Sequence, residues 1–376
     1  MSATNKMKSG KHFCELIKVS VGLNERLSKE PTEQLWQTLF DMAQQQALTG
    51  VCFAGVHRLK DQGANIPQQL YYEWLGMAGM IQQQNERLNR ESRLISQLVS
   101  EQGFRSSILK GQAVAKMYDG VLKTLRQPGD IDIWVTAKPK EVIRLGRSLG
   151  CIYYYDYHHA DLEYYKDTEV EMHYRPTLSR NLWRNRRLQR WFEKEGESLV
   201  VYDNQLGFNV PRPDFNLILT LNHNFWHLLY EGVGMRQMMD LYYVLKSHTK
   251  ITDNTDIEQL LKYFGLMKFV KACMWVMQEV FGLARNHMVC EPDERSGRFL
   301  LNEIMTAGNF GHHDPRLKRS GEKSRVVLMG RWLKHTIRLF RYYPADVLWT
   351  PFGVLYISLW RRWHYMRDKQ IHYDKR

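Results

Sequence analysis

"LKTLRQPGDIDIWV", Leu122–Val135, is the stretch on which the reading of the chain turns. Its second half alternates apolar residues with two aspartates, Asp130 and Asp132. Alternation by two is the period of a β-strand, which puts residues i and i+2 on one face. Asp130 and Asp132 are therefore expected to project together, with Ile131, Ile133 and Val135 packing on the other side. Two carboxylates this close repel each other and are pushed towards protonation unless a cation sits between them. A hard divalent ion, above all Mg²⁺, takes carboxylate oxygens and leaves positions for water and substrate phosphates. D-x-D on a strand reads as half of a metal–nucleotide site. On its own, a solvent-facing edge strand accounts for it as well.

The flanking residues supply a context. "RSSILKG" (Arg105–Gly111) reads as a strand ending in a glycine turn, and "GQAVAKMYD" as a helix that opens there. Gly111 thus lies where free backbone N–H groups favour an anion, with Lys110 and Arg126 adding positive charge. "KPKEVIRLGRSLG" (Lys138–Gly150) reads as a helix stopped by its last glycine. The Tyr-rich stretch Cys151–Pro176 reads as two or three antiparallel strands with a turn near Lys166–Thr168. Within it "TEVEMHY" offers Glu169 and Glu171 on one face as a third carboxylate, followed by His173. A further β segment, Glu197–Pro211, is expected to continue the sheet.

The first hundred residues read as helices, the longest from about Pro67 to Ser100, and the chain is helical again after Pro213. The expected fold is α+β: a small mixed β-sheet core at 105–212, N-terminal helices at 1–104, and a C-terminal helical domain at 213–376. Linker candidates are "EPDERSG" (Glu291–Gly297) and "GHHDPRLKRSGEKS" (Gly311–Ser324).

Composition bounds the partners. The chain has 376 residues, 53 Lys+Arg against 40 Asp+Glu, and a formal charge of +13. From Lys323 to Arg376 there are 12 basic and 3 acidic residues, so this tail carries +9 of that charge. An anionic partner for the tail is one reading, a solvated helical face the other. The five cysteines show no C-x-x-C spacing, which suits reduced thiols in a cytoplasmic protein. "MSATNKMKSGKHFCEL" has no apolar h-region, so no signal peptide is expected. The apolar run Ala345–Trp360 holds 16 residues and contains Pro351 and Gly353, short of the ~20 a spanning helix needs. A buried or membrane-surface helix is expected there, with no transmembrane helix.

The ordered set K-G, D-x-D and E-x-H over about 60 residues resembles the uncharacterised nucleotidyltransferase family, within the DNA polymerase β-like nucleotidyltransferase superfamily. The superfamily pattern is hydrophobic-Gly-Gly/Ser, then D/E-hydrophobic-D/E, then an acid on a later strand. Gly111 matches the glycine, Asp130 and Asp132 the metal pair, and Glu171 the later acid. Lys110 and Arg126 match residues usual in these stretches, and Gln112 stands where Ser or a second Gly is common. "LNHNFWHLLYEGVGMRQMMDLYYVL" resembles the family's helical His…His…Arg…Asp stretch through His223, His227, Arg236 and Asp240.

The resemblance implies Mg²⁺-dependent transfer of an NMP from an NTP, ATP among them, to an acceptor that the sequence does not name: a small molecule, a protein side chain or an RNA end. Asp130, Asp132 and Glu171 would hold two Mg²⁺, and Lys110, Gly111, Gln112 and Arg126 the nucleotide. His173, His223, His227, Arg236 and Asp240 are the candidates for the acceptor side. Two other readings stand beside it. One is a catalytically inactive nucleotide- or RNA-binding relative on the same fold. The other is a glycosyltransferase using D-x-D, which the helical first hundred residues disfavour.

Blander readings compete at single positions. His223 and His227 share a helix face but lack the Glu of H-E-x-x-H, so a zinc protease is not implied. Asp240 is expected to pair with Arg236 at i, i+4. The tyrosines at 153–157 suit sheet packing, and the arginines at 180–190 either an exposed helix face or a grip on an anion.

Overall fold

The computed structural model describes residues 3–248, 254–316 and 325–368. Four helices come first: α1 (Ala3–Ser20), α2 (Glu33–Gln45), α3 (Thr49–Asp61) and α4 (Gln68–Glu101). The mixed region holds β1 (Ser106–Leu109), α5 (Gly111–Ala115), α6 (Leu122–Leu125), β2 (Ile131–Val135), α7 (Pro139–Leu149), β3 (Cys151–Tyr155), β4 (His159–Glu163), β5 (Val170–His173) and α8 (Leu182–Glu195). A hairpin, β6 (Val200–Asp203) and β7 (Phe208–Pro211), leads into α9 (Pro213–Tyr230) and α10 (Met235–His248). Then follow α11 (Asn254–Tyr263), α12 (Met267–Phe281), α13 (Glu294–Ala307), α14 (Arg325–Phe340) and α15 (Pro344–Arg367). The class is α+β, as the alternation of periods predicts.

The boundaries have local causes. Thr32 caps α2 by accepting from the Leu35 N–H at 3.3 Å, an arrangement worth about 1 kcal/mol. Gly150 ends α7 as expected, in an extended conformation at φ −168°. It is glycine because a Cβ there would stand 2.6 Å from the Glu163 carbonyl oxygen on β4. Glu291–Gly297 is no linker: Asp293 caps α13 through the Ser296 N–H at 2.8 Å. Residues 317–324 of the second linker candidate, and 369–376 of the basic tail, lie outside the described residues.

The main sheet runs β1-β2-β5-β4-β3, antiparallel except for the parallel β2–β5 pair. The β6–β7 hairpin does not join it, contrary to expectation, and forms its own two-stranded sheet. β7 lies beside β1 through Asn209, whose side-chain amide donates to Ser106 O at 2.8 Å. Pro211 has no N–H to extend a ladder there.

One hydrophobic cluster spans the N-terminal and C-terminal helices, from Phe13 and Trp36 through Phe215 and Met238 to Phe269 and Ile304. A second lies on one face of the sheet, where Ile131, Ile133, Val170, Met172 and Leu162 pack with Val142 and Leu145 of α7. The opposite face is where the polar residues gather. Helix α15 covers the β3–β4 hairpin: the Tyr365 hydroxyl donates to Tyr155 O at 2.8 Å, and Trp360 meets Tyr157 edge-on at 5.5 Å. Gly353 permits this docking, since a side chain there would strike the Arg180 backbone. Tyr155 and Tyr157 thus serve packing, while Tyr153 is exposed. No helix among the described residues is long and apolar enough to cross a membrane.

Candidate active site

Strand pairing builds the site. Asp132 on β2 is the register partner of Glu171 on β5, which is in turn the partner of Asp161 on β4. His173 on β5 lies opposite His159 on β4. Because period two fixes the face, Asp132, Glu171, His173, Asp161 and His159 form one polar patch across three strands. Their intervening neighbours, Ile131, Ile133, Val170, Met172, Ala160 and Leu162, fill the core on the other side. Asp130 precedes β2 by one residue and is exposed, whereas Asp132 is 3 % exposed.

Two cations reach the buried carboxylate. Lys110 ends β1 in a turn with φ +47°, ψ −134°, a conformation costly for a residue with a Cβ. The turn sends its Nζ to 2.7 Å from Asp132 Oδ1. The His173 ring contributes Nε2 at 2.8 Å from the same oxygen and 3.1 Å from Glu171 Oε2. Burial raises the Asp132 carboxyl, but Lys110 and His173 outweigh it and hold it below the usual range. Burial is likewise overcome at Glu171, which His173 and His159 keep strongly acidic. At His173 burial favours the neutral ring, yet its bonds to Asp132 and Glu171 push it up to about 9, so it is an imidazolium at neutral pH. Asp130 is pushed up to about 6, chiefly by the Asp132 charge.

Asp130, Asp132 and Glu171 therefore face one ammonium and one imidazolium, and among the described residues no cation forms an ion pair with Asp130, although Lys110 lowers it from a distance. That imbalance, with oxygen donors on Asp130, Asp132 and Glu171, fits a divalent ion. Ligand atoms within 4.8 Å of one another also group Asp132, Glu171 and His173; His159, Asp161 and Glu171; and His158, His159 and His173. Sequence reading missed His158, His159 and Asp161. The signal was present in "YHHADLE", where His159 and Asp161 alternate with Ala160 and Leu162 as Asp132 alternates with its neighbours.

The other expected residues are placed as follows. Gly111, at φ +29°, follows Lys110 and opens α5, a helix of only five residues. Gln112 is buried against α4, its amide nitrogen donating to Asn89 Oδ1 at 2.8 Å and Asn85 O at 3.2 Å. Arg126 is buried too, and Asp240 grips it bidentately: Nε to Oδ1 at 2.7 Å and an Nη to Oδ2 at 2.8 Å. The Tyr118 hydroxyl donates to the same carboxylate at 2.7 Å. Asp240 thus takes Arg126, not the Arg236 expected from helical spacing. Arg236 instead donates to Gln127 O at 3.4 Å and lies over Phe310 at 5.2 Å. Asn85 of α4 ties down the same segment by donating to Thr124 O at 2.9 Å and Arg126 O at 2.8 Å.

On α9, His223 and His227 face each other with Nε2 atoms 2.9 Å apart, and the His227 Nδ1 meets Glu231 at 2.8 Å. Burial holds His223 well below the ordinary imidazole value, with Lys110, His227, Arg236 and His173 adding to it. The α9 histidines and the sheet patch therefore feel the same field. The arginines at 180–190 are partly committed: Arg184 pairs with Asp346, and Arg180 lies over Tyr230 at 3.9 Å.

A family model described as uncharacterised nucleotidyltransferase matches residues 32–282, two thirds of the chain. No curated protein and no solved structure matches.

Proposed function

The chain belongs to the uncharacterised nucleotidyltransferase family, and from that membership we propose that it moves an NMP from an NTP to an acceptor hydroxyl in an Mg²⁺-dependent reaction. The observation that carries the proposal is the pairing of Asp132 with Glu171 across β2–β5 beside Asp130, whose carboxyl the Asp132 charge pushes up. These three carboxylates would hold the metal, which when bound neutralises phosphate charge and makes the attacking hydroxyl more acidic.

The chain's own groups then divide the work. Lys110 holds its ammonium at Asp132 until phosphate oxygens compete for it, and Gly111 follows it at φ +29°. His173 fixes the orientation of Asp132 and Glu171 through one ring nitrogen. Arg126 is committed to Asp240, so its role is to position the 126–130 segment that delivers Asp130; Gln112 anchors the start of α5 to α4. His223, His227 and Arg236 border the acceptor side. In this reading residues 105–212 are the transferase core, with 1–104 and 213–376 as its helical flanks.

The test is labelling of acceptor material by an α-phosphate-labelled NTP with Mg²⁺, screened over all four NTPs. Asp130→Ala is expected to abolish labelling. No labelling by the unaltered chain with any NTP and a broad acceptor set would sink the reading.

A second reading, a nucleotide- or RNA-binding relative without catalysis, is favoured by one observation. Lys110 and His173 already compensate Asp132 and Glu171 from within the chain. Calorimetry separates the two: NTP binding that persists without Mg²⁺ and is unchanged by Asp132→Asn supports the second.

A further inference from the structure

Helix α15 is apolar on the face that points away from the protein. Leu348, Phe352, Leu355, Leu359, Trp363 and Met366 recur at steps of three and four and are each 50–68 % exposed. Those steps keep a single stripe over five turns. The opposite stripe, which includes Asp346, Gly353 and Trp360, is turned inward. The helix is pinned in this orientation at both ends. Asp346 pairs with Arg184, and Asp368 accepts from Arg147 at 2.6 Å. Helix α14 adds Leu333, Ile337 and Phe340, exposed at the same helical spacing. Scattered apolar residues on a surface are ordinary, but two ordered stripes on adjoining helices are not.

The charges beside the stripes are of one sign. Arg362 and Arg367 on α15, and Lys334 on α14, are exposed, with the Arg367 guanidinium 3.7 Å over the Trp363 ring. Among the described residues of the two helices and their immediate C-cap, the only acids are Asp346 and Asp368, both bonded to arginines. We propose that the α14–α15 face docks onto an anionic lipid bilayer surface, with α15 lying in the interface and its stripe among the acyl chains. An apolar stripe edged by arginines, with no exposed acid, has the composition of an interfacial helix. A second copy of this face would bring like charges together. A nucleic acid would use the arginines and leave the six apolar side chains in water. Spanning is excluded for this helix by its hydropathy.

The test is flotation of the full chain with vesicles of phosphatidylcholine alone and of phosphatidylcholine and phosphatidylglycerol in equal parts. The unaltered chain floats with the anionic vesicles and much less with the neutral ones. The double variant L355E/L359E, on exposed positions, keeps its circular dichroism and melting temperature and loses roughly tenfold or more in partitioning. R362E/R367E loses roughly fivefold or more per reversed charge on anionic vesicles, and little on neutral ones. The proposal is overturned by absence of flotation with anionic vesicles. It is equally overturned by flotation that L355E/L359E leaves unchanged, or by a chain that is dimeric without lipid and made monomeric by L355E/L359E.

Discussion

Asp132 and Glu171 stand side by side on parallel strands, and the single Nε2 of His173 bridges them at 2.8 and 3.1 Å. Without that ring, the buried Asp132 and the half-buried Glu171 would lose their shared donor, leaving Asp132 the Lys110 ammonium. Replacing His173 by Gln is expected to cost roughly 2 kcal/mol or more, because a charged acceptor loses its charged donor. The midpoint of urea unfolding measures it.

The same contact sets a pH dependence. His173 titrates at about 9 in the folded chain, against 6.5 for the free side chain. A pKa raised by folding gives stability that is fully present below 6.5 and lost as pH rises through 9. Asp132, lowered by folding, contributes above the ordinary carboxylate range and loses that contribution in acid. The urea midpoint should therefore fall between pH 6.5 and 9, and His173→Gln should flatten that fall. Equal slopes in both proteins would contradict the assignment.

Asp240 holds a buried guanidinium with two oxygens and a buried tyrosine hydroxyl with one. Asp240→Ala strands Arg126 and is expected to cost roughly 3–5 kcal/mol. Arg126→Lys is not a conservative change, since an ammonium cannot reproduce the fork. A double-mutant cycle over Arg126 and Asp240 should give a large coupling, and additive losses would argue against the pair.

Lys110 sits at φ +47°, where a Cβ is strained. Lys110→Gly and Lys110→Ala remove the same charge, so any difference between them isolates the backbone. The glycine variant is expected to be the more stable by about 1 kcal/mol. Thermal melts of the two proteins decide it. Both should label acceptors poorly if the ammonium serves the phosphates.

Asn85 gives its side-chain amide to the carbonyls of Thr124 and Arg126 from inside α4. Asn85→Ala leaves these acceptors without a partner and is expected to cost roughly 1–3 kcal/mol. Hydrogen exchange should show faster opening of 124–130, with the distant α12 unchanged.

Much of this was legible because it was local. The alternation around Asp132 and around Glu171 fixed which side chains share a face, and the glycine turn after Leu109 marked the end of β1. What escaped was set by distance in the chain. Arg126 and Asp240 are 114 residues apart, so helical spacing offered Arg236 as the partner and the bidentate fork prevailed. Lys110 reaches Asp132 only because β1 lies antiparallel to β2, a pairing that periodicity does not reveal. The patch residues His159 and Asp161 were hidden differently. Their alternation is present in the sequence, but it adjoins a run of tyrosines that suits sheet packing equally well.

The parallel pairing of β2 with β5 also dictates an order of assembly. β5 meets β4 through a short turn, so the β3–β4–β5 meander can form by itself from nearby residues. β2 can close on β5 only after α7 and the whole meander have crossed back, a later step with a larger loop to close. The seam between Asp132 and Glu171 is thus the last part of the sheet to zip. Trp134 of β2 belongs to the helical cluster and meets Phe215 edge-on at 5.3 Å, so a seam that parts on warming loosens the packing of the helices as well.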